Sequence, residues 1–288
     1  MSNFQKIQLQ RKGTGEVLKV NEKNGVPYLT FPMLSALPGV LHGFSTREGG
    51  VSRDHLSTMN LSFSRGDEEE NVRENYRRIA AAIGFSTEDM VFSDQTHTTN
   101  VRLVTREDCG KGWNRERDYS DVDGLITEDP EVVLCTFFAD CVPLFFVDPV
   151  RHAIGLTHSG WRGTVGKIGK RTVERMQECF GSRPEDLYAA IGPSICQDCY
   201  QVSEDVIDEF RANFAPKHHA ELFRADTEEG KYRLNLWRAN ELIFEEAGIK
   251  KDHIQVTDLC TCCNPQFLYS HRASNGRRGN LAAFLTQK

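Results

Sequence analysis

Three apolar runs follow one another with almost no chain between them: Val132–Phe138, Pro143–Val147 and Ala153–Thr157. The first two are separated by the short stretch Ala139-Asp140-Cys141-Val142, and the last two by a turn from Asp148 to His152. A crossover between parallel strands needs a dozen or more residues, so connections this short force antiparallel neighbours. The runs therefore exclude a doubly wound parallel sheet and point to an α+β class. The hairpin has a chemical corollary. It brings the end of its second strand back beside the start of its first, so Cys141 and His158 face each other across the pair.

The rest of the chain alternates strands and helices. Further strands are expected at Leu41–Ser45, Met90–Ser93, Val101–Val104, Gly124–Ile126, Leu187–Ile191, Ile254–Asp258 and Leu281–Leu285. Three helices stand out. One runs from Asn71 to Ile83. In the second, Val165, Ile168, Thr172, Met176 and Cys179 recur at helical steps and make one apolar stripe, with Lys167, Lys170, Glu174 and Glu178 elsewhere on its surface. The third opens at Asn235 as an N-cap, carries Leu236, Ala239, Ile243 and Ala247 on one face, and closes at Gly248. Residues 1–25 read as an N-terminal extension, with a hairpin around Asn24-Gly25 and loose first residues. Residues 26–288 read as a single catalytic domain. The polar segment 106–120 reads as an exposed insertion between two strands.

Composition narrows the function classes. The chain has 288 residues and a net charge of −6, with 26% charged and 39% hydrophobic residues. An acidic balance argues against a sequence-independent nucleic-acid binder. The longest apolar stretch, Val132 to Val147, is interrupted by Asp140 and Pro143 and is too short to span a bilayer. Residues 1–20 lack the apolar core of a signal peptide. Nine cysteines in that context imply reduced thiols and a cytoplasmic location.

The richest chemistry lies at His97, Cys141 and His158. One thiolate and two imidazoles suit zinc, and three protein ligands leave a fourth position open, which is a catalytic arrangement. Copper suits the same donors. The same residues also fit a thiolate–imidazolium pair with Asp140 nearby, or a buried thiol and two ordinary histidines. Arg47, before Gly49-Gly50, has the fork geometry of an anion clamp, or is an exposed loop arginine. Arg162, in His158-Ser159-Gly160-Trp161-Arg162-Gly163, has the same two readings, and Arg272, Arg277 and Arg278 add cationic groups near the C-terminus. Cys196-x-x-Cys199 and Cys260-x-Cys262-Cys263 resemble zinc knuckles in local spacing, but their long separation favours independent buried thiols over one four-thiolate site. There is no phosphate-binding Gly-rich loop, no Gly-x-Ser-x-Gly elbow, and no His-x-Glu…Pro-Cys-x-x-Cys deaminase signature.

In order along the chain stand Phe44-Ser45-Thr46-Arg47-x-Gly-Gly-Val51-Ser52, Asn60-Leu61-Ser62, Gln95-x-His97 and Asp123-Gly124-Leu125-Ile126-Thr127. Ala139-Asp140-Cys141-x-Pro143-Leu144, His158-x-Gly160-Trp161-Arg162-Gly163-Thr164, Ile191-Gly192-Pro193 and Cys260-Thr261 follow. Together they resemble the purine nucleoside phosphorylase family formerly described as multicopper polyphenol oxidoreductases, or laccase-domain proteins, over roughly residues 40–285. The resemblance implies mixed, largely antiparallel sheets with helices packed outside. It implies phosphorolysis of adenosine, inosine, guanosine or methylthioadenosine with inorganic phosphate, and adenosine deamination. It carries the metal-ligand role to His97, Cys141 and His158. Ser159 stands where the family often has Ala, and Thr98 where it often has Gly.

The resulting expectation is a metal-dependent purine nucleoside phosphorylase that takes zinc, with copper as the alternative ion. Cys141, Asp140 and Arg47 would be catalytic, and Gln95, Arg47, Arg162 and Arg272 would bind substrate or phosphate. Two alternatives use the same site: a copper-dependent polyphenol oxidase and a Cys/His hydrolase. A multicopper oxidase uses many histidines, mostly in His-x-His pairs; this chain has nine and no such pair.

Overall fold

The central hairpin forms as its short turn requires. Strands Val142–Asp148 and Ala153–Ser159 pair antiparallel, with Pro143 opposite His158 and Val142 opposite Ser159. Both strands are buried along their whole length. That explains why they read as continuous apolar runs rather than as alternating ones. Leu144 and Phe146 face one hydrophobic cluster, Phe145 and Val147 another.

The computed structural model describes residues 7–13 and 15–288. Two six-stranded sheets dominate it. The first has the order Lys19–Lys23, Val26–Thr30, Val40–Ser45, Leu281–Gln287, Val133–Phe138, Met90–Phe92. The second has the order Ile254–Val256, Tyr188–Ile191, Val142–Asp148, Ala153–Ser159, Gly124–Thr127, Val101–Leu103. Most neighbours are antiparallel, and three pairs at the sheet margins are parallel. The sheets are therefore mixed, as expected.

The inner faces of the two sheets share one core. Leu134, Phe138 and Leu285 from the first meet Phe145, Val147, Ile154 and Leu156 from the second. Helix Glu69–Ile83 covers the outer face of the first sheet through Val72, Tyr76 and Ile79. Helices Ile168–Phe180, Glu204–Asn213 and Leu236–Glu246 cover the outer face of the second. The result is a four-layered single domain. Each fully buried Phe or Leu in these clusters contributes about 1.5–3 kcal/mol.

Several sequence expectations change in detail. The stripe from Val165 to Cys179 is not one helix. Val165 ends a short helix, Trp161–Val165, and Lys167 adopts a left-handed conformation (φ 57°) before Ile168–Phe180 begins. Two weak helix formers, Gly163 and Gly166, favour that break. The hairpin at Asn24-Gly25 forms, but it joins strands of the first sheet, and Leu18 is fully buried. Residue 25 thus lies in a turn of the domain. The expectation for the first few residues lies outside the described residues. A three-stranded sheet of Gln201–Ser203, Lys231–Leu234 and Phe223–Ala225 was not expected, nor was helix Glu204–Asn213. Among the described residues, no helix is long and apolar enough to cross a membrane.

Candidate metal centre and substrate cavity

His158 lies on the same side of its strand as Ile154 and Leu156, so its ring enters the space between the sheets, where it packs 5.6 Å from the Phe138 ring. Cys141 sits on the three-residue passage from the Val133–Phe138 strand of the first sheet to the Val142–Asp148 strand of the second. His97 arrives from the loop after Met90–Phe92, itself left-handed at φ 68°. The three ligand atoms lie within 4.8 Å of one another, with His97 Nε2 4.0 Å from Cys141 Sγ. Gly160 makes room for them: a Cβ there would stand 2.8 Å from His97 Cδ2 and 3.4 Å from Cys141 Sγ.

Asp123 organises this group. It is fully buried and accepts the backbone N–H groups of Thr96, His97 and Thr98 and the Thr98 hydroxyl. Its Oδ1 also lies 2.8 Å from His158 Nδ1. A carboxylate here fixes His158 as the Nδ1–H tautomer and turns Nε2 toward Cys141, the arrangement that supports a metal-ligating histidine. Burial alone would raise the Asp123 pKa, but His158 and the N–H donors hold it below the usual carboxylate value.

The electrostatics of Cys141 and His158 are coupled. Burial would push the thiol up, but His158 and His97 draw it down to about 6. Burial disfavours a charged imidazole, but the Cys141 thiolate and Asp123 hold His158 up at about 9. The thiolate and the Asp123-oriented imidazole are the forms that a divalent ion requires. The donor set, its spacing and its buried carboxylate support fit a metal with one side open.

That open side faces a cavity of about 910 Å³, lined by His97, Cys141 and His158 at one end. Phe63, Trp113 and Phe137 form an aromatic wall, with Phe63 38% exposed. The 106–120 segment is more than an exposed insertion: residues 112–117 and Tyr119 line the cavity, and Lys111 and Trp113 are buried. Arg65 and Arg278 also line it, and no salt bridge engages either among the described residues. Burial, then repulsion from Arg65, lowers the Arg278 pKa to about 10, and its buried Nε has no hydrogen-bond partner.

Of the residues expected at the site, His97, Cys141, His158 and Gln95 reach the cavity. Gln95 is pinned by Phe137, donating to its carbonyl and accepting its N–H. Arg47 does not reach it. Its guanidinium donates to the Ser57 and Pro265 carbonyls and stacks over Tyr269, so its fork is spent on holding two loops together. Asp140 turns away from Cys141: its carboxylate accepts the Thr261 hydroxyl and the Arg272 N–H. The Arg272 side chain donates to the Gln201 carbonyl and lies over Tyr200, and Arg162 stacks on Trp161 at the surface. The expectation for the cysteine pairs is also corrected. Cys196, Cys199, Cys260 and Cys263 converge within 4.8 Å, while Cys262 stays outside the group.

The family model for multi-copper polyphenol oxidoreductase laccase matches residues 41–288. The chain belongs to this family. Within the laccase-like family, it is 40% identical over 253 residues to purine nucleoside phosphorylase YlmD of Bacillus subtilis, covering 86% of this chain and 89% of that one. It is 38% identical over 261 residues to a purine nucleoside phosphorylase of Deinococcus radiodurans, covering 91% and 93%. The crystal structure of Bacillus licheniformis hypothetical protein YfiH superposes with a TM-score of 0.87 at 34% identity, covering 93% of this chain and 99% of that one. Geobacillus stearothermophilus YlmD gives 0.86 at 34%, covering 95% and 100%. The family departure at Ser159 has a local account, since its hydroxyl bonds to Thr164 and buried Asn240 rather than facing the cavity. Thr98 spends its hydroxyl on Asp123.

Three contributors escaped the sequence reading. Asp123 opens a strand in an ordinary Asp-Gly pair, and only the fold brings three successive N–H groups onto it. Arg65 and Phe63 lie in a loop with no periodicity to mark them.

Proposed function

We propose that the chain is a purine nucleoside phosphorylase that cleaves adenosine, inosine, guanosine or methylthioadenosine with inorganic phosphate, using the cavity beside His97, Cys141 and His158. The observation that carries this reading is the pairing of Arg65 and Arg278 in a cavity that also has an aromatic wall. Two guanidinium groups close enough to repel each other, with no salt-bridging carboxylate, fit a dianion. Phe63 and Trp113 offer ring faces to a purine. The name of the relatives, purine nucleoside phosphorylase, and the description of the family, polyphenol oxidoreductase, are both consistent with an enzyme.

In the reaction, a phosphate oxygen forms a bond to the anomeric carbon as the bond to the purine nitrogen breaks. The electron pair leaves with the base, which takes up the proton given up by the phosphate, and the products are free purine and ribose 1-phosphate, or methylthioribose 1-phosphate from methylthioadenosine. Arg65 and Arg278 would hold the phosphate against the sugar, converting a bimolecular encounter into an oriented one. The aromatic wall would hold the base. Asp123 would hold the Nδ1 proton of His158 and so leave Nε2 turned toward the ion, and Gln95, locked by Phe137, would offer a fixed polar edge. A zinc ion held by His97, Cys141 and His158 would supply a Lewis acid beside the substrate and lower the pKa of water. Adenosine deamination at the same open side is the second activity we assign, and it needs water in place of phosphate.

The test is hypoxanthine release from inosine, with and without phosphate. Arg65→Gln and Arg278→Gln should each lower phosphorolysis about ten- to a hundredfold, the effect of one lost charged hydrogen bond of about 1.5–3 kcal/mol. Deamination of adenosine should fall less. Absence of phosphate-dependent base release from all four nucleosides would exclude the reading. The thiolate–imidazolium pair favours a second reading, a Cys/His hydrolase. Activity that survives complete metal removal and is abolished by alkylation of Cys141 would select it. Phenol-dependent oxygen consumption with more than one copper per chain would select the oxidase.

A further inference from the structure

Four of the remaining cysteines form a second centre. Cys196 and Cys199 lie on a tight turn after Tyr188–Ile191, closed by the Cys199 and Tyr200 N–H groups donating to the Cys196 carbonyl. Cys260 and Cys263 lie on a second turn after Ile254–Val256, closed by the Asn264 N–H donating to the Cys260 carbonyl. Each turn therefore presents a Cys-x-x-Cys pair. The turns are held side by side by a parallel bridge between Ser194 and Cys260, with the Thr261 N–H donating to the Ser194 carbonyl.

We propose that Cys196, Cys199, Cys260 and Cys263 hold a structural zinc ion, separate from the His97, Cys141 and His158 centre. The distances match the ion. A Zn–S bond of about 2.3 Å sets the edge of a sulfur tetrahedron at about 3.8 Å. Cys199 Sγ is 3.5 Å and Cys196 Sγ 4.0 Å from Cys263 Sγ, and all four sulfurs lie within 4.8 Å of one another. No pair is joined as a disulfide. Two backbone donors are aimed at one of these sulfurs: the N–H groups of Cys196 and Cys263 point at Cys260 Sγ at 3.2 and 3.4 Å. Such donors stabilise a thiolate and support a ligating sulfur. The Lys12 ammonium, bonded to Asp198, stands close enough to Cys196 and Cys263 to offset part of the negative charge of a four-thiolate centre.

The centre is closed, with four protein ligands and no open position, so its role is support. What it supports is the turn that carries Cys141. Asp140 accepts the Ile195 N–H at its carbonyl, the Thr261 hydroxyl at Oδ1 and the Arg272 N–H at Oδ2. The two cysteine turns thus grip Asp140, the residue before Cys141, from two directions. Arg272 binds the same region through the Cys199 and Gln201 carbonyls.

Elemental analysis of the freshly purified full-length chain tests the assignment, because it counts ions independently of any nucleoside activity. About two equivalents of zinc per chain are expected. The double variant His97→Ala, His158→Ala should retain one, and Cys196→Ser with Cys263→Ser should lose one. Should the cysteine variant fail to fold, cobalt decides. The His97→Ala, His158→Ala protein reconstituted with cobalt should show intense thiolate-to-metal absorption and the visible bands of a tetrahedral sulfur site. A total of one equivalent or fewer, lost entirely in the histidine variant together with absent cobalt bands, overturns the proposal. So does a Cys199–Cys263 disulfide mapped by mass spectrometry in the freshly isolated chain before any metal is removed.

Discussion

Replacing Asp123 by Asn tests how far one buried carboxylate governs the centre. The change is nearly isosteric and removes one acceptor edge. Asp123 Oδ1 faces His158 Nδ1 and the His97 N–H, and Oδ2 faces the Thr96 and Thr98 N–H groups and the Thr98 hydroxyl. If the amide oxygen takes the Oδ1 position, the NH₂ opposes two backbone donors, and only the Thr98 hydroxyl can rotate to accept. If the amide flips, the NH₂ faces His158, whose Nδ1 must then accept, so its proton moves to Nε2 and ligation is lost. Each unmatched buried donor costs about 1–3 kcal/mol, so the first orientation costs about 2–6 kcal/mol. Loss of the carboxylate behind His158 should lower metal affinity about 10- to 100-fold. Urea unfolding of the metal-free variant measures the first quantity, and chelator competition on the loaded protein measures the second. An Asp123→Asn protein with unchanged urea midpoint and unchanged zinc affinity would refute the reasoning.

Three further outcomes are expected. In the metal-free protein, the ultraviolet absorbance of the Cys141 thiolate should titrate near pH 6, and His158→Ala should move it up toward the ordinary thiol value. The linked stability has two edges. The lowered Cys141 pKa contributes fully above the ordinary thiol value of about 9, and its share is lost as pH falls through about 6. The raised His158 pKa contributes fully below its ordinary 6.5 and is lost as pH rises through about 9, so the pair is intact between those limits. Arg47→Lys keeps the charge but cannot span the Ser57 and Pro265 carbonyls. It should lower the thermal midpoint and reduce phosphorolysis and deamination in parallel, whereas a selective loss of phosphorolysis would restore the clamp reading. Gly160→Ala should displace the His97 ring and weaken zinc binding without unfolding the chain, read by chelator competition beside a circular dichroism melt.

Much of this fold was legible because local spacing carries topology. The turn lengths around Val142–Asp148 dictated antiparallel pairing. The approach of Cys141 and His158, two of the candidate ligands, was legible for the same reason, since the register places Pro143 opposite His158. What escaped depended on contacts between distant segments. Arg47 looks like an anion clamp until Pro265, far along the chain, is seen to occupy its fork. Cys196 and Cys260 look independent until the Ser194–Cys260 bridge aligns their turns. The strands Gln201–Ser203 and Phe223–Ala225 are three residues each, too short to show a period. Lys167 broke a regular stripe because backbone conformation, not side-chain pattern, decides where a helix ends.

The placement of Cys141 on the passage between the two sheets has a consequence for engineering. Cys141 and His158 travel together on one hairpin, but His97 comes from the loop after a strand of the opposite sheet. Transplanting the hairpin into another scaffold would carry a two-ligand fragment and leave the third behind. The complete donor set exists only where both sheets have docked at their native angle. In the proposed metal centre, ion capture would read out that docking, and the ion would add to native stability in proportion to the logarithm of its concentration over its dissociation constant. Under that proposal, substitutions deep between the sheets, far from any candidate ligand, would be screened by metal retention alone.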